Sequence, residues 1–148
     1  MNVGLIDVDG HSNFPNLPLM KISAWHKKRG DAVRWYNPIC DSFPRPPFDR
    51  VYMSKVFTFT PDFPYYINAK EVIKGGTGYS YPDGGKPLDP EIEHIYPDYS
   101  LYGITDTAYG FLTRGCPRNC DFCIVGKKEG LKSRKVADLS EFWNGQKN

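Results

Sequence analysis

Residues 3–36 read as one β-α-β unit, and that unit restricts the fold more than any other feature of the chain. Val3-Gly4-Leu5-Ile6-Asp7-Val8 is a short, mostly apolar run closed by Asp-Gly, the pattern of a strand buried on both faces. Asn16 can cap a helix whose first turn tolerates Pro18. Leu17, Met20 and Ala24 recur at helical spacing, as do Leu19 and Ile22. Lys27-Lys28-Arg29 before Gly30 ends the helix: cations suit the negative end of its dipole, and glycine suits the position beyond it. Residues 31–36 then read as a second strand. A connection of this kind makes the two strands parallel and the crossover right-handed.

The rest of the chain extends the sheet without supplying many helices. Residues 37–49 hold four prolines and read as loop. Residues 50–57 are a third strand candidate and 71–74 a short fourth, followed by Gly75-Gly76-Thr77-Gly78. Residues 80–107 are rich in proline and tyrosine, show no period, and read as a linker lying along a domain surface. Residues 108–113 are a fifth strand candidate that leads into the cysteines, and 139–143 a weak final helix. The expected class is α/β, an open and mostly parallel flavodoxin-like sheet. It divides into an α/β domain (1–79), a Pro/Tyr-rich linker (80–107) and a cysteine-bearing segment (108–148).

Charge and hydropathy remove several function classes. Net charge is +2, with 19 basic against 17 acidic residues, so there is no electrostatic footprint for nucleic acid. Lys127, Lys128, Lys132, Arg134 and Lys135 are locally basic and read as a solvated face. No run approaches the length of a membrane span. Asp7 and Asp9 interrupt any export-signal core, so the expected location is cytoplasmic, where thiols stay reduced. The four cysteines are then ligands or core residues rather than disulfides.

Three of those four fall within eight residues, in Gly115-Cys116-Pro117-Arg118-Asn119-Cys120-Asp121-Phe122-Cys123. So short a loop can curl until three sulfurs converge on one inorganic centre. Thiolates are soft ligands that suit iron–sulfur clusters and zinc. Three ligands on a four-iron cluster leave one iron open, whereas a purely structural site normally closes every position. Cys40 stands apart and reads as a small buried hydrophobe. It would complete a four-cysteine zinc site only if its loop lay beside the cluster loop.

The Cys-x3-Cys-x2-Cys spacing, with an aromatic residue just before the third cysteine, resembles the radical S-adenosylmethionine (SAM) superfamily signature. Phe111-Leu112-Thr113-Arg114-Gly115 is similar to the end of that superfamily's first barrel strand. The resemblance implies that Cys116, Cys120 and Cys123 bind a 4Fe-4S cluster whose open iron chelates SAM, with Phe122 against the adenine. Reduction would cleave SAM to methionine and a deoxyadenosyl radical. It implies a reductant such as flavodoxin or ferredoxin and a small-molecule or peptide substrate. Only 25 residues follow Cys123, where each further β-α unit takes about 30. The chain therefore reads as the first strand and cluster loop of an incomplete barrel, without turnover in isolation.

Residues 2–78 resemble, in architecture, the cobalamin-binding-like domains that precede the barrel in many radical SAM proteins. Asp9 and His11 match the first two fixed positions of the Asp-x-His-x-x-Gly cobalamin motif, and Phe14 replaces its glycine. A carboxylate beside a histidine can set its tautomer toward a metal, so Asp9 and His11 are the cobalamin candidates. Gly75-Gly76-Thr77-Gly78 lacks the spacing of a phosphate-binding or dinucleotide motif and reads as a turn. His26 and His94 read as surface residues. Two rivals to the enzyme reading use the same cysteines without catalysis: a small zinc-binding module, and an adaptor that docks a partner chain.

Overall fold

A computed structural model describes residues 1–10 and 14–146. Four parallel strands form the main sheet: β1 (Asn2–Asp7), β2 (Ala32–Trp35), β3 (Arg50–Ser54) and β4 (Val72–Gly75), in the order β2-β1-β3-β4. The register pairs Val3 with Val33 and with Arg50, and Val51 with Val72. Helix α1 (Leu17–Lys28) joins β1 to β2, as its caps dictate. The Asn16 side chain accepts the Leu19 N–H at 3.3 Å, and Gly30 takes φ +80° after the last turn.

A parallel sheet has to be covered on both faces, and this one is covered by different means on each. Val3, Leu5 and Tyr52 face α1 and meet Leu19 and Ile22. Ile6, Val51 and Met53 point the other way, onto Tyr36 and Phe48. Among the described residues that second face takes from helices only Tyr79, of the single turn Thr77–Ser80. The proline-rich loop after β2 and the loop after β3 lie across the rest, bringing Phe63, Ile67 and Ala69. Buried polar groups pin these loops in place of helical hydrogen bonds. Asp41 takes both Arg34 amino groups, at 2.7 and 2.6 Å, and the Asn37 N–H at 2.8 Å. The Asn68 amide donates to the carbonyls of Asp41 and Arg45.

Residues 80–107 form an anchored strap over α1. It follows the short helix α2 (Thr77–Ser80), and a second short helix, α3 (Pro90–Glu93), and a 3-10 turn (Tyr99–Tyr102) break it up. Leu88, Ile92 and Leu101 pack on the α1-side core. Lys21 bonds Glu93, Ser23 and Lys27 bond Asp98 at 2.6 Å each, and the Trp35 indole donates to the Leu101 carbonyl. The strap's holds are single side chains rather than a repeating face, which is why it shows no period.

The strand expected over 108–113 does not form there. Tyr109 donates its N–H to the Tyr99 hydroxyl at 3.0 Å, which takes this backbone out of any ladder. Only β5 (Thr113–Arg114) pairs, antiparallel, with β6 (Arg134–Lys135). Between them lies α4 (Val125–Glu129), and the expected final helix is a 3-10 turn, Leu139–Glu141. Among the described residues no helix is long and apolar enough to cross a membrane.

Candidate metal centre

The cysteines sit on the loop between β5 and α4, and the β5–β6 ribbon closes the base of that loop. Gly115 turns the chain at φ +90°, where a Cβ would stand 2.2 Å from the Lys132 carbonyl oxygen, so only glycine fits. The Glu129 carboxylate then accepts the Gly115 N–H at 3.1 Å and the Arg114 guanidinium at 2.9 Å. The Cys116 N–H donates to the Gly130 carbonyl at 3.1 Å. The first cysteine thus starts from a fixed backbone. Asn119, with φ 45°, is the one non-glycine residue at positive φ among the described residues, and it bends the chain between the first and second cysteines. The Cys123 N–H closes a turn onto the Cys120 carbonyl at 3.0 Å.

Cys116, Cys120 and Cys123 are all free thiols and all half-buried. Phe122 is 90% exposed, beside a small cleft lined by Tyr81, Pro82, Asp121, Cys123 and Lys127. Among the described residues no three His, Cys, Asp or Glu side chains are gathered closely enough to hold an ion. The donor set fits a thiolate-bound cluster by its chemistry, three soft ligands on one short loop. Closing it around a metal requires the loop to draw in.

Cys40 is exposed, which corrects its expected burial. Its loop turns on Asn37, whose side-chain oxygen accepts the Ile39 and Cys40 N–H groups, and the residue it buries is Asp41. His26 is likewise corrected: it is 1% exposed, not on the surface. Its Nδ1 lies 2.7 Å from Asp31 and its Nε2 3.0 Å from the Tyr52 hydroxyl. His94 is on the surface but has a partner, Glu141, at 2.7 Å. The lysines and arginines at 127, 128, 132, 134 and 135 are exposed, as a solvated face requires.

Asp9 stands at the carboxyl edge of the sheet, where it organises the loop after β3. It accepts the N–H groups of Val56 at 2.5 Å and Phe57 at 3.3 Å, and the Thr60 hydroxyl at 2.6 Å. Three of its four lone pairs are thereby engaged by the chain itself. His11 lies outside the described residues. The Gly75–Gly78 turn packs on the chain's own backbone at Lys55, with the Gly78 N–H donating to the Lys55 carbonyl at 2.9 Å. Sequence reasoning passed over Lys55, which is 8% exposed, and the His26 cluster. For His26 a signal existed: Asp31 lies just past the helix end, within reach of a histidine in the last turn. No protein-family model, curated protein or solved structure matches this chain.

Proposed function

We propose that residues 108–148 are the cluster-binding opening of a radical SAM enzyme, with Cys116, Cys120 and Cys123 as ligands of a 4Fe-4S cluster. The observation that carries this is the donor set: three free, half-buried thiols at Cys-x3-Cys-x2-Cys spacing on one loop. When bound, the cluster supplies the electron that cleaves SAM reductively.

The chain's own residues do the rest. Glu129 and Gly130 hold the Gly115–Cys116 backbone, so that the first thiol is placed before the others close. Asn119 sets the bend that lets Cys120 and Cys123 turn back toward it. Phe122, exposed on the loop, would supply an apolar face for the adenine. Loading and loop closure would be one coupled event, because the three thiols are not gathered closely enough to hold an ion. The electron would come from a small redox protein such as flavodoxin or ferredoxin, and the substrate would be a small molecule or peptide. Residues 1–79 would be the cobalamin-binding-like companion domain. Asp9 is largely committed to the loop after β3, which leaves it little capacity to orient a cobalamin-ligating histidine.

Anaerobic reconstitution with iron and sulfide of the wild type and of four cysteine-to-serine variants tests the ligand set. The wild type and Cys40→Ser should each take up about four irons per chain. Cys116→Ser, Cys120→Ser and Cys123→Ser should each lose most of that iron. Equal dependence on all four cysteines, with zinc bound in place of iron, would favour the zinc module instead.

A further inference from the structure

We propose that Cys120 and Cys123 are a redox modification site: in the metal-free chain a small disulfide oxidant joins them reversibly, and the bond keeps the cluster from loading. The loading half of this inference rests on the cluster reading of the loop; the bond itself does not. The Cys123 N–H donates to the Cys120 carbonyl at 3.0 Å, so the two cysteines are the first and fourth residues of a β-turn. The outer Cα atoms of such a turn stand within about 7 Å of each other. A disulfide spans Cα separations of roughly 4.4–6.8 Å. The turn therefore holds this pair close to bonding distance before any metal arrives. The Cys-x2-Cys spacing is also that of dithiols that cycle between thiol and disulfide.

The surroundings select this pair over the others. Both thiols are free and half-buried, and the two residues between them, Asp121 and Phe122, are exposed. Tightening the turn thus displaces no buried side chain. Cys116 stands outside the turn. Its N–H is held by the Gly130 carbonyl at 3.1 Å, and Asn119, at φ 45°, bends the chain between it and Cys120. Cys40 belongs to the loop after β2, turned on Asn37. Among the described residues three thiols are not gathered closely enough to hold an ion, so the loop offers an oxidant a pair rather than a triad. The oxidant is a low-molecular-weight disulfide such as glutathione disulfide. One protein sulfur attacks it, forming a mixed disulfide and releasing one small thiol. The second protein sulfur then attacks the mixed disulfide and releases the other. The protein gives up two electrons and two protons, and the oxidant leaves as two thiols. A ring this small is strained, which keeps the bond easy to reduce. While it lasts, two of the three proposed ligands are withdrawn.

Oxidation of the reduced, metal-free whole chain with glutathione disulfide, followed by alkylation, trypsin and mass spectrometry, tests the bond. Cleavage after Arg114, Arg118 and Lys127 puts Cys120 and Cys123 on one peptide and Cys116 on another. The peptide 119–127 should escape alkylation and lose two hydrogens, while Cys116 and Cys40 are alkylated. Cys40→Ser and Cys116→Ser should form the same bond, and a dithiol should remove it. Brief anaerobic exposure to iron and sulfide without added thiol, with the bond checked again by mass, tests its effect. The oxidised chain should take up less than roughly a tenth of the iron of the reduced chain, because one thiol cannot hold a cluster. Alkylation of both Cys120 and Cys123, a lasting glutathione adduct on either, or a bond joining Cys116 or Cys40 to them would overturn the proposal. So would equal iron uptake by the two chains while the bond persists. A reduced chain that takes up no iron brings down the cluster reading and the loading half with it, even where mass shows the bond.

Discussion

Asp31 shows how one side chain ties the first β-α-β unit together and makes its stability depend on pH. It accepts from the buried His26 ring and from the N-terminal amine, both at 2.7 Å. The hydrogen bond from His26, and after it the one from the N-terminal amine, lower its pKa to about 2 from 3.8. On the far side of the ring, Nε2 lies 3.0 Å from the Tyr52 hydroxyl, which accepts from Arg50 at 3.2 Å. A carboxylate whose pKa is lower folded than unfolded stabilises the fold above its unfolded value, and that contribution fades as pH falls through the folded one. Urea midpoints of the wild type and Asp31→Asn should therefore differ most above pH 4 and converge toward pH 2. A gap independent of pH over that window would remove Asp31 from the account. His26 escaped the sequence reading because its place in the last turn, beside Lys27 and Lys28, looked like helix-end solvation. Burial was decided by Tyr52, 26 residues away, and no local pattern carries that distance.

At the scale of elements, the parts that sequence made legible are those with a local physical rule behind them. Strand β1, the Asn16 cap, α1, the Gly30 stop and β2 all follow from apolar runs, capping and dipole chemistry within a few residues. The parallel pairing follows from the crossover between them. The covering of the second face was not legible, because loops and Tyr79 of one helical turn provide it rather than a long helix. Their holds, Asp41 on Arg34 and Asn68 on two carbonyls, are long-range polar contacts without a period. Phe48 is the apolar centre of that face, 1% exposed, with its ring 5.5 Å from Tyr36 and the Arg34 guanidinium 4.5 Å above it. Phe48→Ala should lower stability by about 3–5 kcal/mol, read by urea unfolding. A loss under about 1 kcal/mol would mean that the loops do not close this core. For the cysteine loop, the three cysteines and their spacing are legible in the sequence, but the turn that positions Cys116 is not. Gly115→Ala should displace the β5–β6 ribbon and cut iron uptake by more than half while leaving the far-ultraviolet spectrum of the main sheet in place. Unchanged iron uptake would show that this turn does not set the first ligand.

Across the whole molecule, the strap joins the sheet to the cysteine loop through one carboxylate. Glu93, on α3, takes Lys21 of α1 at 3.2 Å and Arg114 of β5 at 3.3 Å, and Arg114 also holds Glu129. The loop that would carry the cluster is therefore braced against the helix that covers the sheet. These pairs keep partial contact with solvent and are individually weak, so they orient the loop more than they stabilise the fold. Glu93→Gln should leave the melting temperature within about 2 °C and raise amide hydrogen exchange at Gly115 and Cys116. Protection unchanged at both amides would uncouple the strap from the loop. The proposed four-iron cluster, held by three thiols of this loop with one iron open to SAM, is read out by electron paramagnetic resonance of the anaerobically reconstituted and reduced chain, recorded with and without SAM. The expected result is the spectrum of a reduced 4Fe-4S cluster that changes when SAM is added. A cluster spectrum indifferent to SAM, or stoichiometric zinc with no cluster uptake, would overturn the proposal.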